Sequence, residues 1–285
     1  MRMTWRVLLS AILLSGTLMA TAPQAAAQDS DQLMPEESTA KAKEILQQAI
    51  QALGGAAYLN VHDATCTLRY SQFGHSGDVN GFATLIDYTI PPYKDRTENL
   101  PKRNLIQIMN GEKGWVLDRG GVSDASEVDI AQFQDDVRKD IDNILRHRLK
   151  EPGMIFRYAG PDVVDLKEAD WVELVDSEDR TVRIAIARST HLPIRKVVVS
   201  RDSASRTKRD ELEYYSNYHP VSGIETPYQI TRERNGMKVY QAFFEKCEYN
   251  TNLSESLFTK DSLEDRWAKV GKKGKKNKDK DKDKN

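Results

Sequence analysis

Between residues 42 and 53 the apolar side chains fall at Ala42, Ile45, Leu46, Ala49, Ile50 and Leu53, with Lys, Glu and Gln between them. That spacing places them on one face of a helix, which Gly54-Gly55 stops and for which Ser38 is the expected N-cap. From Val61 the period changes to two. Ala64, Cys66, Leu68 and Tyr70 alternate with Thr65, Thr67, Arg69 and Ser71, and further strands are predicted at Gly81–Ile90, Leu105–Met109 and Trp115–Leu117. A helical stripe then returns at Ile130, Phe133, Val137, Ile141, Ile144, Leu145 and Leu149, with Ser126 as cap and Pro152-Gly153 as stop. Strands resume at Val163–Leu166 and Trp171–Val175, either side of a turn over Lys167–Asp170. Three more follow at Thr181–Ala187, Ile194–Arg201 and Glu211–Tyr218.

The clearest hairpin is Thr226–Tyr249, turned by Asn235-Gly236, the pair best suited to a type I′ turn. A two-residue turn predicts Glu233 opposite Lys238, Ile230 opposite Gln241 and Tyr228 opposite Phe243. Alternation then collects Tyr228, Ile230, Met237, Val239, Phe243, Cys247 and Tyr249 on one side, and Glu233, Lys238, Lys246 and Glu248 on the other. Arg232, Arg234 and Glu245 share the parity of the apolar side, so that side is expected to be open or polar near the turn. No repeat or Pro/Ser linker divides residues 38–270. The expectation is a single α+β domain, mainly antiparallel β, of roughly ten strands and two helices.

Arg2 and Arg6 precede the apolar run Val7–Ala20, and Ala25-Ala26-Ala27 offers a small-residue cleavage site, so residues 1–27 read as a secretory signal peptide. The run is shorter than a membrane span and no second one follows, so the expected mature chain is soluble and periplasmic. Residues 28–37 read as a mobile leader. At the other end, residues 271–285 carry eight Lys and three Asp. Such a tail reads as a disordered solubilising extension or as a tether making peripheral contact with an anionic envelope surface. Without it the body is acidic by about eight charges, which argues against nucleic acid as a partner.

Cys66 and Cys247 sit in the first and last long strands, in a compartment where thiols oxidise. Both a bridge between them and two separate buried thiols fit the sequence. Catalytic and metal-binding patterns are missing: there is no H-E-x-x-H, C-x-x-C, Walker loop or G-x-G-x-x-G, and the five histidines are scattered singly. Gly74-His75-Ser76-Gly77-Asp78 lacks the strand-to-helix context of a nucleophile elbow. The chain therefore reads as a non-enzyme with no cofactor and no metal. Its excess lies in apolar residues on a sheet that two helices are too few to cover.

Five segments spread over the chain together resemble the outer-membrane lipoprotein-sorting family, the LolA/LolB-like periplasmic carriers. They are ILQQAIQALGG in the first helix, NGEKGW (Asn110–Trp115), HLPIRKVVV (His191–Val199), GIETPYQI (Gly223–Ile230) and YNTNLSESLF (Tyr249–Phe258). The resemblance implies an incomplete, half β-barrel with the two amphipathic helices across its concave face and a hydrophobic cavity between. Candidate lining residues are Ile45, Leu46 and Ala49 of the first helix, Phe133 and Ile141 of the second, and Leu68, Tyr70, Trp115, Ile184, Ile186, Tyr228, Ile230 and Phe243 of the strands. The implied function is carriage of lipid or lipoprotein acyl chains between envelope protein donors and acceptors. A sensor or interaction module on the same fold is the alternative.

Overall fold

A computed structural model describes residues 33–201 and 208–269. The predicted signal peptide and Lys/Asp tail lie outside the described residues, as does the first half of the leader. Thirteen antiparallel strands form one sheet in the order β6-β5-β4-β3-β2-β1-β13-β12-β11-β10-β9-β8-β7. They are β1 (Ala64–Phe73), β2 (Val79–Ile90), β3 (Lys94–Leu100), β4 (Ile106–Asn110), β5 (Lys113–Asp118), β6 (Gly121–Asp124), β7 (Ile155–Val164), β8 (Lys167–Val175), β9 (Thr181–Ala187), β10 (Pro193–Arg201), β11 (Lys208–Val221), β12 (Ile224–Arg234) and β13 (Met237–Tyr249). Two up-and-down meanders, β1–β6 and β7–β13, are thus joined by the pairing of β1 with β13. Their outer edges, β6 and β7, stay unpaired with each other, so the sheet is an open half-barrel.

The polar strand β3 and the short β6 escape a hydrophobic reading. Arg96 and Glu98 of β3 are buried as a pair, Arg96 Nε to Glu98 Oε1 at 2.7 Å, beneath the segment after β13. That segment lays Phe258 and Leu263 on Ile106, Ile108 and Leu117, and ends in a helix over 260–269. The turn between β7 and β8 is Asp165-Leu166, both at positive φ, two residues before the predicted one.

The first helix, α1 (Pro35–Ala52), buries its predicted stripe on β7 and β8. It begins at Pro35, inside the expected leader, and Ser38 is not its cap. Ser38 Oγ instead accepts from the Tyr158 N–H at 2.9 Å, and Thr39 Oγ1 donates to the Phe156 carbonyl at 3.0 Å. These side chains satisfy backbone groups of an edge strand that would otherwise be open to pairing. Past α1, Gly54 cannot be replaced freely: it adopts φ +127°, and a Cβ there would lie 2.4 Å from the Gly223 carbonyl oxygen. The short α2 (Ala56–Leu59) follows and buries Tyr58.

The predicted second helix is broken. It forms α3 (Glu127–Lys139) and α4 (Ile141–Arg146), because Asp140 is extended (φ −62°, ψ 133°) and its side chain accepts from the Asn143 N–H at 2.8 Å. An Asp that caps a new helix competes with the one it interrupts. Ser126 caps α3 as expected, accepting from Asp129 N–H at 3.1 Å.

The β12–β13 register matches expectation next to the turn, with Glu233 opposite Lys238, and then slips. Beyond a bulge that leaves Val239 unpaired, Ile230 lies opposite Ala242 and Gln229 opposite Phe243. A second bulge, at Glu245, occurs where β13 meets β1. Each extra residue resets the alternation of everything past it.

Candidate functional site

The segment from β6 to β7, carrying α3 and α4, crosses the face of the sheet and roofs a cavity of about 380 Å³. The floor comes from β1 and β10–β13 and one wall from Leu53 and Tyr58 after α1, while Pro91, Pro92 and Lys94 close the far side. Phe133, Ile141 and Ile230 line the space, together with Phe244, Leu145 and Tyr249. Cys66 and Cys247 are directly opposed on β1 and β13, Cα atoms 4.2 Å apart, and form a disulfide at the cavity floor across a sequence separation of 181.

The other candidate residues have different places. Ile45, Leu46, Ala49, Ile184 and Ile186 are buried in the core that α1 makes with β7–β12. Leu68 is buried opposite Phe244, and the Tyr70 ring lies 5.4 Å from that of Tyr240. Trp115 belongs to the other face of the sheet, because the row containing Cys66 runs through Asp87, Thr97 and Gln107 to Val116. Its partners are Ile106, Ile108 and Phe258. Phe243 faces away from the cavity because the bulges give that side to Tyr240, Ala242 and Phe244. Tyr228 meets the His219 ring edge-on at 4.7 Å. Next to it, Asn217 at φ +55° breaks the alternation of β11, so that Tyr215 and Tyr218, three apart, both line the cavity.

The floor is not uniformly apolar. Glu213 is buried and takes Lys196 Nζ on Oε2 at 2.6 Å, the Tyr215 hydroxyl on Oε2 at 2.7 Å and Arg232 Nε on Oε1 at 2.7 Å. Burial opposes the charge on Glu213, but Lys196 and Arg232 outweigh it and hold the carboxyl down at about 2. The same cations reach up to the roof. Lys196 donates to the Lys139 carbonyl at 2.7 Å, at the end of α3, and Arg232 to Asp136 Oδ1 at 3.2 Å. At the kink, burial and then the neighbouring Asp142 push Asp140 up to about 6, against the pull of Lys196. The parity of Arg232 was legible in the hairpin. Lys196 and Glu213 carried no local signal beyond their alternation with Val and Tyr.

Two of the resembling segments are structural. Asp63, 2% exposed, accepts from the backbone N–H groups of Thr251, Asn252 and Leu253 at 2.7–3.2 Å and from the Thr251 hydroxyl at 3.0 Å. YNTNLSESLF is therefore a clasp from the end of β13 to the start of β1, while NGEKGW is the β4–β5 hairpin. Among the described residues no cluster of His, Cys, Asp or Glu could hold a metal ion, and no helix is long and apolar enough to cross a membrane.

Among solved structures, a DUF1329 family protein from Desulfovibrio piger aligns with a TM-score of 0.56 at 15% identity, over 78% of this chain and 98% of that one. A domain assigned to outer-membrane lipoprotein sorting, from Vibrio parahaemolyticus, aligns at 0.52 and 11% identity over 79% and 99%. A LolA superfamily protein from Nitrosomonas europaea gives 0.51 and 14% over 78% and 99%. The fold is LolA/LolB-like. No family model and no curated relative matches the sequence. At these identities the likeness carries the architecture, and the LolA/LolB-like sheet and roof then frame the chemistry of this chain's own residues.

Proposed function

We propose that the chain is an exported periplasmic carrier that holds an acyl chain of a lipid or lipoprotein beneath the α3–α4 roof and passes it between envelope partners. The observation that carries this reading is the cavity of about 380 Å³ between a largely apolar floor and a roof whose α3 part is held by a few polar tethers. Burying an acyl chain contributes about 0.8 kcal/mol per methylene before ordering costs, so shape and apolar surface suffice without a nucleophile. Release follows when the tethers from Lys196 and Arg232 let go of α3, since α3 itself buries only Val137 among its thirteen residues. Its role is binding and transfer rather than bond-making. The test is delipidated protein titrated with a fluorescent fatty acid, alongside native mass spectrometry of protein taken from the envelope. Saturable uptake and a lipid-loaded mass support a carrier. An empty species that takes up nothing sinks it in favour of a sensor or interaction module.

A further inference from the structure

Of the three largely buried cations that line the cavity, Lys196, Arg232 and Arg146, the last is the least satisfied. Arg146, in the last turn of α4, lines the cavity with a side chain only 5% exposed. Its Nε has no hydrogen-bond partner, and its one ion pair, to Asp142, is 3.5 Å long. The guanidinium rests over the Tyr58 ring at 4.3 Å, while the Tyr58 hydroxyl donates to Asp142 Oδ1 at 2.7 Å. Asp142 is half exposed, so water shares it. Lys196 and Arg232, by contrast, are saturated by Glu213, a roof carbonyl and Asp136.

A guanidinium presents five N–H donors in a rigid fork, and burying it with donors unmet is costly. Nε is sealed from the cavity, whereas the two terminal nitrogens end the side chain with parallel donors that match two oxygens side by side, which is how a carboxylate is taken up bidentately. We propose that Arg146 anchors the head group of a single-chain anionic amphiphile, a fatty acid carboxylate, whose tail lies along Ile141, Ile230 and Phe244. This rests on the carrier reading and narrows it to one class of cargo. The volume agrees, since about 380 Å³ lies near the lower end of the roughly 300–1,000 Å³ range of small-molecule sites and suits one chain better than a multiply acylated anchor.

The experiment is displacement of Nile red, a neutral probe, from the delipidated full chain by dodecanoic acid and by 1-dodecanol, which share a tail and differ in the head. Wild type is expected to prefer the acid by about tenfold or more, which corresponds to about 1.4 kcal/mol. Arg146→Gln is expected to bring that ratio close to one with alcohol binding unchanged, and Arg146→Lys to fall between. Equal binding of acid and alcohol by wild type overturns the anchor and leaves the carrier reading standing. So does an acid preference that survives in Arg146→Gln. Dodecyl phosphate is a third arm, and if it alone binds, the carboxylate assignment falls. Failure of every ligand to displace the probe overturns the carrier reading and this inference with it. The wild-type ratio is diagnostic even if the Gln variant does not fold.

Discussion

Two helical segments cover the same face of this sheet by different physics. The first, α1, buries Ala42, Ile45, Leu46, Ala49 and Ile50 against β7 and β8. The second, α3–α4, divides: α4 buries Ile141, Ile144 and Leu145 in the same core, while α3 spans the cavity, fastened by Lys196 to a carbonyl and by Arg232 to Asp136. Apolar burial is non-directional and grows with contact area, so it fixes α1 through the area it covers. Ion pairs and hydrogen bonds act at a few points and can span a space. The comparison teaches that one sheet can hold one helix by contact area and another by a few polar points.

The strongest way to break this contrast is at Glu213. Glu213→Gln leaves Lys196 and Arg232 buried without their anion, and unfolding in denaturant is expected to show a loss of roughly 3–5 kcal/mol. Little or no loss would mean that the charged floor is not what supports the roof. Next comes Leu46→Ala in α1, at 1% exposure, with an expected global loss of about 2–5 kcal/mol. It should move the melting temperature without speeding amide exchange in α3, and selective loosening of α3 would erase the distinction.

The third prediction concerns pH. Asp140 has a raised folded pKa, about 6, so the folded chain keeps a proton that the unfolded chain gives up in the usual carboxylate range. Ionising it in the fold therefore costs stability as pH rises through that interval up to about 6. Glu213, at about 2, has the opposite sign: its contribution is complete above its unfolded value and fades as pH falls toward about 2. Asp140→Asn keeps the helix cap and removes the first effect. Its stability advantage over wild type should grow by on the order of 2 kcal/mol between pH 4 and 7, and a pH-independent gap would refute the assignment. The smallest effect is expected of Asp136→Asn, below about 1 kcal/mol globally, with faster exchange confined to α3. Equal acceleration in α1 would argue that the two helices open together.

Much of the fold was legible from local pattern. The α1 stripe, the β12–β13 turn at Asn235-Gly236 and the Ser126 cap each depend on neighbours a few residues apart, and each is where the sequence places it. The lining of the cavity was less legible. Ile45 and Ile184 have the same apolar signature as Ile141 and Ile230 and share a core with them, yet only the last two also border the cavity. Phe243 and Phe244 are adjacent, and two single-residue bulges decide which one looks inward.

Sequence by itself determined the helix and strand periods, the turn, the export signal as an expectation and the parity that puts Arg232 among apolar neighbours. Tertiary structure alone decided the rest: the burial of Arg96 with Glu98, the use of Ser38 on an edge strand, the joining of Lys196, Glu213 and Arg232, and the loose pairing of Arg146. The reason is one of range. Period and capping are settled within a turn or two of chain, whereas the worth of a buried charge depends on partners from distant strands, and a register shift of one residue changes who those partners are.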